Sequence, residues 1–365
     1  MDVAPQSRPH LPPHASMSHH QCDRTGTITG AIALVLLCLG LLTLPWGCTS
    51  FNLAIDQTVA RSTSQRNSPP SISFSSDVMA KLEVTMRNGD PADIYYPRVT
   101  DREAQALRFP IVLLLQGLNV DKQHYSRCAQ QVARYGFIVI VPNHRTSVRG
   151  HDELFAQVGQ VPDTLDLARR LTADRDSPLF ERIDTTQLVL LGHSHGGMMG
   201  LDAVRGACDV PFCVGEYSLP DELKAAVFFG TSLWENGEYL SINNTANNTS
   251  IPVALIAGDR DSLITIEEAR QTYAHIVSPP RAFIALTGVN HYGLTDVDNP
   301  PGSPTEVNAP QTKQADSITT IARWSGLFLR AHTWGDRRAL QSIYRFNSEL
   351  HGNDPIQTTI EAQFR

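Results

Sequence analysis

Six short, continuous apolar runs punctuate most of this chain, at residues 111–115, 137–141, 188–191, 225–229, 253–256 and 282–286. Runs of that length without alternation predict strands covered on both faces. Between and after them, residues 125–135, 164–172, 198–207, 266–276 and 318–331 carry apolar side chains at helical spacing. Strand and helix in alternation build a mainly parallel, twisted sheet with helices on both faces. Residues 81–87 and 92–96 behave differently. They alternate apolar and polar around the turn Asn88-Gly89-Asp90-Pro91, which predicts two antiparallel edge strands at the N-terminal side of the sheet. The fold class read from this pattern is α/β, and no internal repeat interrupts it.

The polar and apolar balance changes sharply at the N-terminal side. Residues 26–55 carry no charge, and residues 28–46 are almost wholly apolar, ending in Pro45-Trp46-Gly47-Cys48. This predicts an export signal or a membrane anchor, and its length suits either a cleaved signal behind Arg24 or a retained span. Gly47-Cys48 adds a third reading, lipoprotein processing, although Pro45 and Trp46 are poor residues ahead of a lipid-modified cysteine. Residues 56–76, rich in Ser, Thr, Asn and Pro, read as a linker. The organisation expected is a leader over 1–55, the linker over 56–76 and a single catalytic domain over 77–365. That domain is expected outside the cytoplasm, with membrane association through residues 28–46.

Composition narrows the classes of function. The 365 residues are 41% hydrophobic, ample for a packed core, and 37 acidic against 30 basic residues leave a net charge of -7 with no basic block. No nucleic-acid partner is expected. The histidines His10, His14, His19 and His20 lack regular ligand spacing, so no metal site is expected there. Cys208 and Cys213 bracket a short loop that a disulfide closes in an oxidising compartment, which leaves Cys128 as a small core residue. Residues 208–221 and 234–250 interrupt the alternation and read as a rim or lid, because long loops at the carboxyl ends of parallel strands shape pockets. The second contains the glycosylation acceptors Asn243-Asn244-Thr245 and Asn247-Asn248-Thr249.

The chemistry is concentrated where the run at 188–191 enters Gly192-His193-Ser194-His195-Gly196-Gly197. A serine hydroxyl attacks carbonyl carbon only when a base removes its proton, and a strand-to-helix turn between glycines pushes it out to meet one. A base needs a carboxylate to hold its tautomer, and on this architecture the order along the chain is Ser, Asp, His. The strand at 253–256 ends in Ala257-Gly258-Asp259-Arg260-Asp261, of which Asp261 lies further out along the turn and Asp259 is the alternative. The strand at 282–286 ends in Thr287-Gly288-Val289-Asn290-His291-Tyr292-Gly293, which makes His291 the base. His193 and His195 would have to fold back on the elbow, so they are expected to line the pocket or pack beneath it. Two backbone amides suffice for the oxyanion, that of His195 and that of Leu118 in the turn Gln116-Gly117-Leu118-Asn119 after the first parallel strand. Gln116 either orients that turn or faces solvent.

These stretches resemble the α/β-hydrolase superfamily. Leu114-Leu115-Gln116-Gly117 with Asp121, Lys122 and Tyr125, the run from Tyr135 to His144, the Ser194 elbow, the Asp261 and His291 loops, and Ile321-Ala322-Arg323-Trp324 are together similar to the branch of chlorophyllase-like proteins and cutinase-like polyester hydrolases, cyanobacterial chlorophyllase-like hydrolases above all. The resemblance covers roughly 78–345. It implies an α/β-hydrolase fold and hydrolysis of a carboxylic ester of a hydrophobic substrate through an acyl-enzyme, with neither metal nor organic cofactor. Gln116-Gly117 stands where the superfamily often has His-Gly, and His195 where plant chlorophyllases have Arg. An amidase or thioesterase on the same three residues, and a noncatalytic binding protein on the same scaffold, are the competing readings.

Overall fold

The computed structural model describes residues 79–99, 107–148, 151–208, 216–235, 238–239, 250–345 and 354–365. The expected leader and linker, Cys213, both glycosylation acceptors and most of the expected rim lie outside the described residues.

Among the described residues nine strands form one sheet: β1 (Met79–Thr85), β2 (Pro91–Pro97), β3 (Phe109–Leu115), β4 (Ile138–Pro142), β5 (Ile183–His193), β6 (Leu223–Phe229), β7 (Val253–Gly258), β8 (Arg281–Leu286) and β9 (Thr358–Gln363). Their order across the sheet is β1-β2-β4-β3-β5-β6-β7-β8-β9. Every neighbour pair from β4 to β8 is parallel, whereas β2 pairs antiparallel with both β1 and β4. The expected pair of antiparallel strands on the N-terminal side is thus present. The first of them ends sooner than its alternation suggests, because the turn closes with the amide of Met86 donating to the carbonyl of Asp90 at 2.8 Å.

At the opposite edge the structure adds a strand that the apolar pattern does not reveal. β9 runs antiparallel to β8, and its residues alternate half-buried and exposed, so no apolar run marks it. A small antiparallel hairpin, Arg145–Val148 with His151–Leu154, follows β4. It is nearly all polar and equally silent in the pattern.

Among the described residues six helices cover the sheet: α1 (Ser126–Ala133), α2 (Gln160–Ala173), α3 (His195–Arg205), α4 (Ile266–His275), α5 (Gln314–Thr333) and α6 (Arg337–Tyr344). Successive strand side chains point to opposite faces, and the core divides accordingly. Ile111, Leu113 and Leu115 of β3 pack with α2, α3 and α4, through Leu165, Leu201 and Tyr273. Val112 and Leu114 face α1, α5 and α6, through Val132, Phe328 and Ile343. The central strands are therefore apolar without interruption because both of their faces are buried. Among the described residues no helix is long and apolar enough to cross a membrane. Cys128 sits in the second of these layers as a buried free thiol, and burial pushes its pKa up to about 12.

All the residues singled out for chemistry lie just beyond the carboxyl ends of β3, β5, β7 and β8. That common edge is where the loops of a parallel sheet leave the core.

Candidate active site

β5 hands its last residue, His193, directly to Ser194, which precedes the first residue of α3. Ser194 has φ 53° and ψ -122°, a left-handed conformation that costs a non-glycine residue about 1–3 kcal/mol. It persists because its surroundings hold it. The Ser194 amide donates to the Phe229 carbonyl at 3.0 Å, and the Thr231 hydroxyl donates to the Ser194 carbonyl at 2.8 Å. Gly196 allows the tight approach: a Cβ there would lie 2.2 Å from the Leu115 carbonyl oxygen. Any side chain at that position would drive the elbow away from the turn after β3.

The structure brings Asp261 and His291 together. His291 Nδ1 lies 2.8 Å from Asp261 Oδ2, with both side chains almost fully buried. Asp261 is itself anchored, because Oδ1 accepts the amides of Leu263 at 3.0 Å and Ile264 at 2.8 Å. A carboxylate only accepts, so the imidazole proton sits on Nδ1 and the lone pair on Nε2. Asp259 is turned elsewhere. Its Oδ1 accepts the Gly288 amide at 2.6 Å and ties the end of β7 to the end of β8.

Gly230 marks where the Ser194 elbow and this pair converge. It lies one residue after the Phe229 carbonyl that holds Ser194, and at φ +57° its missing Cβ would sit 3.1 Å from Asp261 Oδ2 and 3.2 Å from His291 Nδ1. A side chain there would crowd the carboxylate-imidazole bond beside the elbow, and the positive φ itself favours glycine.

The turn after β3 supplies the other wall. The Gly117 amide donates to the Tyr125 hydroxyl at 2.8 Å, the Asn119 amide donates to the Leu154 carbonyl at 2.9 Å and the Val120 amide to the Gly117 carbonyl at 3.1 Å. The Leu118 amide between them has no partner among the described residues. His195 opens α3, where the first amides of a helix lack intrahelical acceptors. Gln116 does not face solvent: it is fully buried, accepts the His144 amide at 3.0 Å and donates to the His144 carbonyl at 3.2 Å, which pins the ends of β3 and β4 together.

His193 and His195 both take structural places. His195 stacks on Phe155, ring centroids 3.8 Å apart, with Nε2 3.1 Å from the Ala156 carbonyl, and burial lowers its pKa to about 4. His193 is fully buried beneath the site. Its Nε2 lies 3.0 Å from the His291 carbonyl and its Nδ1 lies 3.0 Å from the Tyr125 hydroxyl. The carbonyl only accepts, so Nε2 carries the proton and Tyr125 donates to Nδ1. Burial, followed by the neighbouring His291, lowers the His193 pKa well below the usual value and keeps the ring neutral. A continuous chain thus runs from the Gly117 amide through Tyr125 and His193 to the backbone of His291. The apolar pattern places Tyr125 at the start of a helix and says nothing of this bridge.

Glu306 is a further buried group that the sequence pattern does not single out, and it touches both the Asp261 and the His291 loops. The only signal available is a carboxylate in the long segment between β8 and α5.

Two comparisons with known proteins bear on this arrangement. The family model described as Chlorophyllase matches residues 91–210, which run from β2 past the Ser194 elbow. Cutinase est2 of Thermobifida alba is 23% identical over 201 residues, 54% of this chain and 56% of that protein. Cutinase 2 of Thermobifida cellulosilytica is 24% identical over 201 residues, 54% of this chain and 64% of that protein. The match therefore spans less than two thirds of the length of these relatives. Sheet order and a strained serine between strand and helix give an α/β architecture of the α/β-hydrolase type, and over these stretches the chain is similar to the Chlorophyllase model and to cutinases.

Proposed function

We propose that the domain is a serine hydrolase that cleaves a carboxylic ester of a hydrophobic substrate. Ser194 is the nucleophile, His291 the base and Asp261 its orienting carboxylate, with the amides of Leu118 and His195 as oxyanion donors. The observation that carries the reading is the 2.8 Å contact between His291 Nδ1 and Asp261 Oδ2 at the edge of the Ser194 elbow. It leaves Nε2 unprotonated, the state a general base requires.

Ser194 Oγ adds to the ester carbonyl carbon as its proton passes to His291 Nε2, and the carbonyl oxygen becomes an oxyanion held by the two amides. Collapse breaks the bond to the alcohol oxygen, which takes the proton from His291 and leaves Ser194 acylated. Water then repeats the sequence. His291 removes its proton, the acid departs, and the proton returns to Ser194 Oγ.

The likeness to proteins named cutinases and to the Chlorophyllase model supports a hydrophobic ester as substrate. We further assign residues 1–55 to a leader or anchor, 56–76 to a linker, a disulfide to Cys208 and Cys213, and the catalytic domain over 77–365 to a place outside the cytoplasm. A fluorophosphonate probe is expected to label the purified protein, and Ser194→Ala to abolish both labelling and turnover of p-nitrophenyl esters. Undiminished turnover by Ser194→Ala would overturn the proposal. Matched ester, thioester and amide substrates identify the bond cleaved, and faster turnover of the amide would replace esterase by amidase.

A further inference from the structure

Glu306 lies in the segment joining β8 to α5 and is 4% exposed. Its backbone is held on both sides by one side chain, since its amide donates to Asn299 Oδ1 at 2.7 Å and its carbonyl accepts from Asn299 Nδ2 at 3.3 Å. The carboxylate is thereby presented inward. Oε2 accepts the Ser262 amide at 2.8 Å and, at 3.4 Å, the amide of His291. Oε1 accepts the Ser262 hydroxyl and, at 2.6 Å, the Asn308 amide. Ser262 adjoins Asp261 in the chain. One carboxylate therefore grips the turn that carries the candidate acid and the backbone of the candidate base.

Its electrical situation is uncommon for a buried carboxylate. Among the described residues no lysine or arginine pairs with it. Burial alone pushes its pKa up, but hydrogen bonds from Ser262, Asn308 and His291 outweigh this and hold it below the usual carboxylate value, so the group is charged. Burying a charge without a cation is costly, and the cost falls when a cation forms nearby. The cation that forms nearby in the proposed reaction is the imidazolium of His291. The titratable groups packed around His291 are Asp261, His193 and Tyr292 against the ring and Glu306 against its backbone amide. Of these, His193 is held neutral and Tyr292 has its pKa raised by burial. Asp261 and Glu306 supply the negative charge.

We propose that Glu306 is a positioning residue for the Asp261 and His291 pair, which joins their two loops and adds a second fixed negative charge that favours the imidazolium. This rests on the serine-hydrolase reading above. Glu306 does not touch the reacting atoms; it acts through the backbone of His291 and through Ser262. The arrangement makes the pair's hydrogen bond depend on a residue 15 positions beyond the histidine.

The test is Glu306→Gln, which keeps the shape and removes the charge, with Ser262→Ala as a milder cut at the same clamp. With a short soluble p-nitrophenyl ester, Glu306→Gln is expected to lower kcat about 10- to 100-fold, leave KM within about twofold, and move the acid limb of the kcat/KM profile to lower pH by roughly one unit, as loss of a neighbouring negative charge demands. Ser262→Ala should shift both readings the same way by less. The low-field proton resonance of the Asp261 and His291 hydrogen bond, recorded without substrate, should be weakened in Glu306→Gln and sharp in the wild type. That resonance is read independently of turnover, so failure of the ester-hydrolase reading in Ser194→Ala is separable from failure here. An unmoved acid limb together with an unchanged resonance in Glu306→Gln would overturn the proposal, even if the melting temperature fell.

Discussion

His291 Nδ1 and Asp261 Oδ2 meet at 2.8 Å from loops at the ends of two neighbouring parallel strands, 30 residues apart in the chain. The carboxylate that makes this contact also accepts two amides from its own turn, so the imidazole is held by a group that cannot swing away. Its alternative two residues earlier, Asp259, is committed to the Gly288 amide. The two acids are therefore expected to differ sharply on mutation.

Asp261→Asn keeps the volume but turns an acceptor into a donor facing Nδ1, which favours the imidazole tautomer with its proton on Nε2. A fall in kcat of about 10³- to 10⁴-fold is expected, with KM little changed. Asp259→Asn should stay within about tenfold of wild type. Steady-state kinetics of both variants on one ester decides the matter, and the reverse ranking would move the orienting role to Asp259.

Gly230→Ala places a Cβ 3.1 Å from Asp261 Oδ2 at a backbone φ of +57°. Left-handed strain costs the alanine variant about 1 kcal/mol or more, and crowding displaces the carboxylate from the imidazole. Thermal unfolding should show a lower Tm, and kcat/KM should fall by more than the loss of folded protein explains.

Tyr125→Phe removes the hydroxyl shared by the Gly117 amide and His193 Nδ1. It strands a buried donor and a buried acceptor, at a cost of about 1–3 kcal/mol. Because one of these groups is in the turn that carries Leu118 and the other leans on His291, kcat should drop as well as stability. Urea denaturation and single-turnover acylation measured on the same variant would show both losses. Acylation at the wild-type rate would argue that the bridge is structural alone.

Stability should fall as the medium becomes acidic. His193, His195 and His332 all have pKa values lowered by burial, to about 4 for the latter two. The unfolded chain binds protons near 6.5, the folded one only below that, so the unfolded state takes up more protons as pH falls. The contribution of these neutral rings is complete above about pH 6.5 and is lost progressively toward pH 4. Urea midpoints taken between pH 7.5 and pH 4.5 should decline, and His332→Gln, remote from Ser194, should make the decline less steep.

Parallel strands covered on both faces leave continuous apolar runs, and six such runs in this chain fall on β3 to β8. β9 and the hairpin after β4 escape the pattern for one reason: they are half exposed and carry few apolar residues. The site divides along similar lines. Ser194, Asp261 and His291 can be picked out because each follows a buried strand in a glycine-bearing loop. Gln116 is left between two roles, and those of Tyr125 and Glu306 are not legible at all, because they depend on contacts to residues 28, 68 and 44 positions away, respectively.

The linear pattern of residues specifies the alternation of buried strands with amphipathic helices, hence an α/β sheet, and the set of chemically capable residues at its strand ends. Periodicity carries that information because burial acts on every side chain of an element in the same way. Packing in three dimensions selects which carboxylate meets the imidazole, which amides around the β3 turn are already spent, and which buried groups bridge the loops. Those choices are made by distances of about 3 Å between segments remote in the chain, and no local pattern of apolar and polar residues encodes a distance.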